Sequence, residues 1–183
     1  DIENKKILDV GCGDGKFTSE LVKNGADVYG VDFSEKALRF ARALVPEAKF
    51  SKRDVTKLEF EDNYFDAITL MDVIEHLPDT KEEKALIEIK RVLKSDGKLI
   101  ISTVSSKIKL APKHYRHYSN KELEALLKRY FKKIKVKGYL KNVLFFDLIW
   151  KHANYPIIRR IANRLVRECE PKNSIFLIAS CTK

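Results

Sequence analysis

Leu8-Asp9-Val10-Gly11-Cys12-Gly13-Asp14-Gly15 is the stretch on which the fold turns. Lys6-Ile7-Leu8-Asp9-Val10 reads as a buried strand, and three glycines then lead into a helical pattern that starts at Lys16. Glycines between a strand end and a helix start let the backbone approach a ligand closely, because no Cβ intervenes. The dinucleotide fingerprint is G-x-G-x-x-G and opens onto a helix that receives a pyrophosphate. Here the spacing is G-x-G-x-G, and the stretch holds two carboxylates, Asp9 and Asp14. Carboxylates repel pyrophosphate and favour a cationic ligand.

Outward from this loop, apolar strands alternate with helical patterns, the signature of βαβ units and a parallel sheet. The spacing predicts a helix over 16–24 with Phe17, Leu21 and Val22 on its apolar face, a strand over 27–31, and a helix to Leu44 capped by Ser34. Further strands are expected at 49–52 and 65–71, then a helix capped by Thr80 and running to Leu93 with Leu86, Ile89 and Val92 inward. Ser95-Asp96-Gly97 turns the chain into a strand over 98–103, Ser119 caps a helix over 121–130, and strands follow at 133–137 and 174–180. Residues 140–172 read as irregular. The whole chain, 1–183, reads as one domain, with residues 1–104 binding a cofactor and 105–183 facing an acceptor, the latter carrying an insertion at about 140–172.

Three more signals carry chemistry. Asp32 ends the second strand, 21 positions after Gly11, where an acid accepts hydrogen bonds from ribose hydroxyls; Phe33 beside it offers an apolar face. The competing reading of Asp32 is a helix N-terminal acid, but Ser34 already fills that role. Arg53-Asp54-Val55 follows the third strand, where a carboxylate can take an adenine amino group. Finally, Phe65-Asp66-Ala67-Ile68-Thr69-Leu70-Met71-Asp72-Val73-Ile74-Glu75-His76-Leu77-Pro78 delivers Asp72, Glu75 and His76 at the C-terminal end of a buried strand, where ligands bind in open α/β sheets.

These signals, in this order, resemble class I S-adenosylmethionine-dependent methyltransferases, in particular the ubiquinone- and menaquinone-biosynthesis (type 11/12) group. Asp9, Gly11, Gly13 and Gly15 fall on that family's first motif, Asp32 on its ribose-binding acid and Asp54-Val55 on its adenine contact. Residues 65–77 match its fourth-strand motif and residues 91–99 its "LKPGG" turn, with Ser95-Asp96 in place of Pro-Gly. The resemblance implies a Rossmann-like α/β fold, a seven-stranded, mostly parallel sheet with an antiparallel last strand and helices on both faces. It implies S-adenosyl-L-methionine as cofactor and S-adenosyl-L-homocysteine as product. The expected cofactor site is Asp9, Gly11, Cys12, Gly13, Gly15, Asp32, Phe33, Asp54 and Val55, with Met71 and Asp72 closing the sulfur side. His76 is the candidate base, against a reading in which it only shapes the pocket.

The acceptor is less legible. Lys113-His114-Tyr115-Arg116-His117-Tyr118-Ser119 has the composition of a binding loop, and His114, Tyr115, Arg116, His117, Tyr118 and Trp150 are the expected acceptor-facing residues; an exposed loop ahead of a helix is the competing reading. Asp72-x-x-Glu75-His76 is similar to the acid-x-x-Glu-His pattern of metal-dependent relatives, in which a later His completes the site. The resemblance therefore offers Asp72, Glu75 and His76 with either His114 or His117 as a ligand set, the set with His117 being the one taken forward, although Glu-His at this place also occurs in metal-free relatives and no metal is the preferred reading.

Hydrophobic residues make up 44% of the 183 and charged residues 34%, which excludes disordered and fibrous classes. No apolar run reaches the roughly 20 residues that span a bilayer. The chain opens at Asp1 without a secretory signal pattern, and Cys12, Cys169 and Cys181 read as free thiols, so a reducing cytoplasm is expected. The net charge is +10, and its excess sits in residues 107–167, which hold 17 Lys and Arg against Glu122, Glu124 and Asp147. A solvated lysine-rich surface is one reading; an anionic partner or membrane surface is the other. Residues 143–150 are apolar and aromatic, and 157–167 read as a basic amphipathic helix, which suits a cap over the pocket, a homodimer interface or a lipid-facing surface. Nucleic acid is disfavoured, since aromatics do not interleave with the basic residues. The functional expectation is methyl transfer to a small or lipophilic acceptor. The alternatives are an RNA methyltransferase, a non-catalytic adenosyl-binding partner subunit, and a nicotinamide oxidoreductase that the glycine spacing argues against.

Overall fold

A computed structural model describes residues 1–141, 166–170 and 174–183. The chain order is β1 (Lys6–Val10), α1 (Lys16–Lys23), β2 (Asp27–Asp32), α2 (Glu35–Leu44), β3 (Lys49–Lys52), β4 (Phe65–Met71), a 3-10 turn (Ile74–His76), α3 (Asp79–Val92), β5 (Leu93–Val104), α4 (Asn120–Lys128), β6 (Lys132–Lys141), β7 (Val166–Cys169) and β8 (Phe176–Thr182). One sheet runs β3-β2-β1-β4-β5-β8-β6-β7. β1 to β5 pair in parallel, and β8 inserts antiparallel between β5 and β6.

The central strands β1 and β4 and the second half of β5 are largely apolar because helices cover them, whereas β3 at the sheet edge is polar. Leu8, Ile68, Leu70, Leu99 and Leu177 are fully buried with Leu86 and Ile89 of α3 in one cluster, while Ile7 and Val28 join Leu21 of α1 in a second. Local chemistry fixes the helix starts. Ser34 Oγ accepts from the Ala37 N–H, and Ser119 and Glu122 form a reciprocal capping box at α4. The strand order reverses between β1 and β4, so the C-terminal ends of β1, β2 and β4 meet at a topological switch point, the place where open α/β sheets bind ligands.

Several expectations are corrected. The seven expected strands, with the antiparallel last one, are all present, and Val166–Cys169 adds an eighth, an antiparallel edge strand on β6, to the described sheet. Leu140 and Lys141 lie in β6 and Val166 and Arg167 in β7, so these parts of 140–172 are strand rather than irregular or helical. The rest of the expected amphipathic helix, the 143–150 segment and Trp150 lie outside the described residues. Phe17 is 40% exposed and Thr18 is buried in its place, held by a hydrogen bond to Asp9. α3 starts one residue before Thr80, with Pro78 in the cap position: its carbonyl receives the Lys81 and Glu82 N–H groups and no side chain caps. Ser95-Asp96-Gly97 does not separate helix from strand. β5 already starts at Leu93 opposite Phe65, and the three residues form an irregularity before Lys98 pairs with Ala67, with Lys94 bridging to Asp66 at 2.7 Å. Cys12 and Cys181 are buried free thiols. Among the described residues no helix is long and apolar enough to cross a membrane.

Candidate active site

The loop after β1 hooks onto the end of β2. Gly11 and Cys12 donate their N–H groups to the Val31 carbonyl, and Gly13 donates to Asp32 Oδ2 at 3.0 Å. Asp32 Oδ1 accepts the Ser34 N–H at 2.8 Å, so one carboxylate ties the glycine loop to the start of α2. Gly11 and Gly13 both have positive φ, where an L side chain is strained. A Cβ on Gly11 would stand far inside contact distance of Val73 Cγ2, whereas a Cβ on Gly13 would meet nothing within 4 Å. The backbone at Gly13 thus leaves space that no atom of the described residues fills.

A cavity of about 380 Å³ opens at this switch point, within the range of small-molecule sites. Of the expected cofactor residues, Gly11, Asp32, Phe33, Asp54 and Val55 line it; His76 and Tyr115 line it from the acceptor side. Phe33 is 80% exposed, an aromatic ring left uncovered at a cavity wall. Val73, Leu77, Pro78, Arg53 and Lys81 also line it and were not assigned from sequence. Leu77-Pro78 directly follows the Glu-His pair and could have been included on that ground. Lys81 reaches the cavity only because the first turn of α3 lies across from the loop after β3. Its ammonium binds Asp54 Oδ2 at 2.8 Å while Thr56 binds Oδ1, and these bonds hold the Asp54 carboxyl down at about 2, the lysine contributing most.

Other expected residues are placed elsewhere. Asp9 lies beneath the loop with its oxygens on Thr18 (2.6 Å) and Thr69 (2.9 Å), and burial raises its pKa. Cys12 is buried with its sulfur close to the α-carbon face of Gly30, and burial pushes its thiol up to about 12. Gly15 packs against Ala41 of α2. Met71 and Asp72 do not line the cavity, and the Asp72 carboxylate accepts from Ser102 Oγ at 2.7 Å. Tyr118, expected at the acceptor, is 2% exposed within the core with its hydroxyl donating to Glu82. Arg116 pairs with Asp79 and Glu82 and does not face the cavity.

Glu75, His76 and His114 come together: one ligand-type atom from each lies within 4.8 Å of the others. His117 and Asp72, which the sequence placed in this group, are not in it. His117 instead takes the His114 ring nitrogen Nδ1 at 2.7 Å on its Nε2 and directs its own Nδ1 at the Ile108 carbonyl (2.9 Å). A carbonyl only accepts, so His117 Nδ1 carries hydrogen; in the neutral imidazole its Nε2 then accepts and His114 Nδ1 donates. By the same logic His76 Nδ1, 3.0 Å from the Lys113 carbonyl, donates. Both His76 and His114 therefore keep a lone pair on Nε2. Glu75 is fully buried, Oε2 accepts from Thr103 Oγ1 at 3.0 Å, and Oε1 has no hydrogen-bond partner among the described residues. Burial raises the Glu75 pKa, and burial also lowers that of His114, with the neighbouring imidazoles adding to the effect.

Residues 8–101, half of the chain, match the family model described as "Methyltransferase domain". The ubiquinone biosynthesis O-methyltransferase of Alkalilimnicola ehrlichii is 38% identical over 109 residues, covering 57% of this chain and 43% of that protein. The enzyme of the same name from Pasteurella multocida is 35% identical over 122 residues, covering 59% and 50%. The chain spans about half the length of these curated relatives. In structure, a SAM-dependent methyltransferase from Archaeoglobus fulgidus superposes with a TM-score of 0.75 at 18% identity, covering 100% of this chain and 87% of that one. A Thermotoga maritima SAM-dependent methyltransferase, described as a possible histamine N-methyltransferase, gives 0.73 at 23% identity, covering 98% and 82%. Phosphoethanolamine N-methyltransferase 2 of Haemonchus contortus shares the fold at 0.71 and 20% identity, covering 99% of this chain and 49% of that one, and has been crystallised with S-adenosyl-L-methionine. The chain belongs to the methyltransferase-domain family and has the Rossmann-like fold of the S-adenosylmethionine-dependent methyltransferases.

Proposed function

We propose that this chain transfers the methyl group of S-adenosylmethionine to a hydroxyl of a small or lipophilic acceptor. The observation that carries the reading is the cavity wall made by Gly11, Asp32 and exposed Phe33 beside the unfilled space at Gly13. Such a wall fits an adenosine: a carboxylate for the ribose hydroxyls, an uncovered ring for the base, and bare backbone for the chain that carries the sulfur. Met71 and Asp72 keep a place near the sulfur end only through the backbone they set. Asp9 and Cys12 hold the loop from below. Asp54 takes the adenine amino group in competition with Lys81.

The cofactor supplies an already activated methyl on a sulfonium, so the protein's tasks are alignment, exclusion of water and removal of the acceptor's proton. His76 Nε2 has the lone pair for that last task, and the buried Glu75 carboxylate nearby stabilises the imidazolium that results. Tyr115, from the half that follows residue 104, forms the acceptor side together with His76 and Leu77 from the end of the fourth-strand segment. The hydroxyl acceptor is favoured by the names of the curated relatives, which are O-methyltransferases.

One observation favours a second reading of the same cluster. Two imidazoles with inward lone pairs and a carboxylate oxygen without a partner make a donor set for a divalent cation, and such a set suits imidazole-preferring metals. In that case His76 is a ligand rather than a base, His114 rather than His117 is the later histidine, and Asp72 takes no part.

The test is labelled-methyl transfer into a cell extract. Counts that partition into organic solvent and fall ~100-fold or more in His76→Ala support the first reading. Loss of counts after chelation, restored by added Zn or Ni, selects the second. Counts destroyed by nuclease, or cofactor binding with no transfer at all, contradict both.

A further inference from the structure

Residues 105–118 form a closed loop beside the cavity mouth. Ser105 and Tyr118 pair as a bridge at its neck, Ser106 donates to the Tyr118 carbonyl, and His117 Nδ1 braces the inside on the Ile108 carbonyl. The loop is also fastened to the 3-10 turn: Tyr115 donates its N–H to the Glu75 carbonyl, and the Lys113 carbonyl receives His76. A loop pinned at this many points presents its outer side chains in fixed positions.

Those side chains are of two kinds. Lys107, Lys109 and Lys113 are exposed, and none of their ammonium groups meets a partner among the described residues. Leu110 lies between them, 50% exposed, with Pro112 exposed next to it, and Tyr115 at the cavity rim is 63% exposed. Between Asp96 and Glu122 the chain has no carboxylate, so nothing on the loop offsets the lysines.

We propose that the tip of this loop docks the protein on an anionic lipid surface, with the cavity mouth facing the bilayer. Lysines around an aliphatic residue match anionic headgroups over an acyl layer. RNA fits less well, since Leu110 and Pro112 offer no aromatic ring for base stacking, Tyr118 is buried, and the exposed Tyr115 belongs to the cavity rim. Docking in this orientation would let a lipophilic acceptor reach His76 without crossing water. Only that last consequence rests on the proposed methyl transfer; vesicle binding is read without turnover, so the two ideas fail separately.

The test is flotation of the full chain with vesicles of phosphatidylglycerol and phosphatidylcholine in equal parts, against phosphatidylcholine alone. Binding is expected only to the anionic vesicles. Lys107→Gln with Lys109→Gln should lower partitioning about 25-fold, on the basis of roughly fivefold for each lysine near an anionic surface. Leu110→Ser should lower it about fivefold, and that loss should persist in high salt. S-adenosylhomocysteine binding by each variant, unchanged, shows that it is folded. Equal binding to both vesicle types, variants that partition like the parent, or retention by a homopolymeric RNA with no vesicle binding would each overturn the proposal.

Discussion

Glu75→Met should make the protein more stable and less active. Glu75 is fully buried; one oxygen accepts from Thr103 and the other has no partner among the described residues. A buried polar group without a partner costs about 1–3 kcal/mol, and the Thr103 bond returns about 1 kcal/mol. A Met of similar length removes the first effect, forfeits the second and adds ~1 kcal/mol of apolar burial. The net gain is about 1–3 kcal/mol, which for a chain of this size raises Tm by ~2–12 °C. Glu75→Gln, which keeps a polar group there, should gain far less. The pH dependence follows from the sign of the shift. Burial raises the folded-state pKa above the ordinary value of 4.5. The contribution of Glu75 to stability is therefore fully present below 4.5 and is lost as pH rises through the raised folded value. The advantage of Glu75→Met is then small near pH 4.5 and grows toward neutrality. Thermal unfolding from pH 4.5 to 7.5, with labelled-methyl turnover in parallel, measures both sides. Turnover should fall ~100-fold through loss of the charge beside His76. A variant that melts below the parent at neutral pH, or one that keeps full turnover, refutes the reasoning.

Gly13→Ala should lose ~1–2 kcal/mol of stability from its left-handed backbone alone, since no atom stands in the way of the methyl group, yet weaken S-adenosylhomocysteine binding at least tenfold in calorimetry; unchanged affinity would mean that the space at Gly13 is not the cofactor's. Tyr118→Phe removes a buried hydroxyl from Glu82 and should cost about 1–3 kcal/mol in urea unfolding while leaving KM for the acceptor unchanged, whereas a raised KM with unchanged stability would return Tyr118 to the acceptor site. Ser119→Ala breaks the capping box of α4 and should cost ~1 kcal/mol, read in the same unfolding assay; no loss would show that Glu122 alone suffices.

What the sequence makes legible here is whatever depends on neighbours in the chain. The apolar runs at β1, β2 and β4, the glycine loop and the caps at Ser34 and Ser119 are local patterns, and each lies where the pattern puts it. Errors arise where a distant residue decides. Tyr118 reads as a binding residue beside two histidines, but Glu82, 36 positions away, draws its hydroxyl into the core. His114 and His117 are indistinguishable by spacing, and the Ile108 carbonyl selects which one turns inward. Lys81 sits in an unremarkable first helical turn until the fold brings Asp54 opposite it. Phe17 looks like the helix's apolar anchor, yet the buried Asp9 needs a hydroxyl partner, and Thr18 takes the inward place. The edge strand Val166–Cys169 carries no strong period of its own and forms because β6 offers an unpaired side.

The most direct test of the central claim is calorimetric titration of the purified protein with S-adenosylhomocysteine beside the Asp32→Ala variant. The account predicts saturable one-to-one binding by the parent and at least ~100-fold weaker binding by the variant, from two charge-assisted bonds at about 1.5–3 kcal/mol each. A folded parent that takes up no S-adenosylhomocysteine, or an Asp32→Ala variant that binds like the parent, would contradict it.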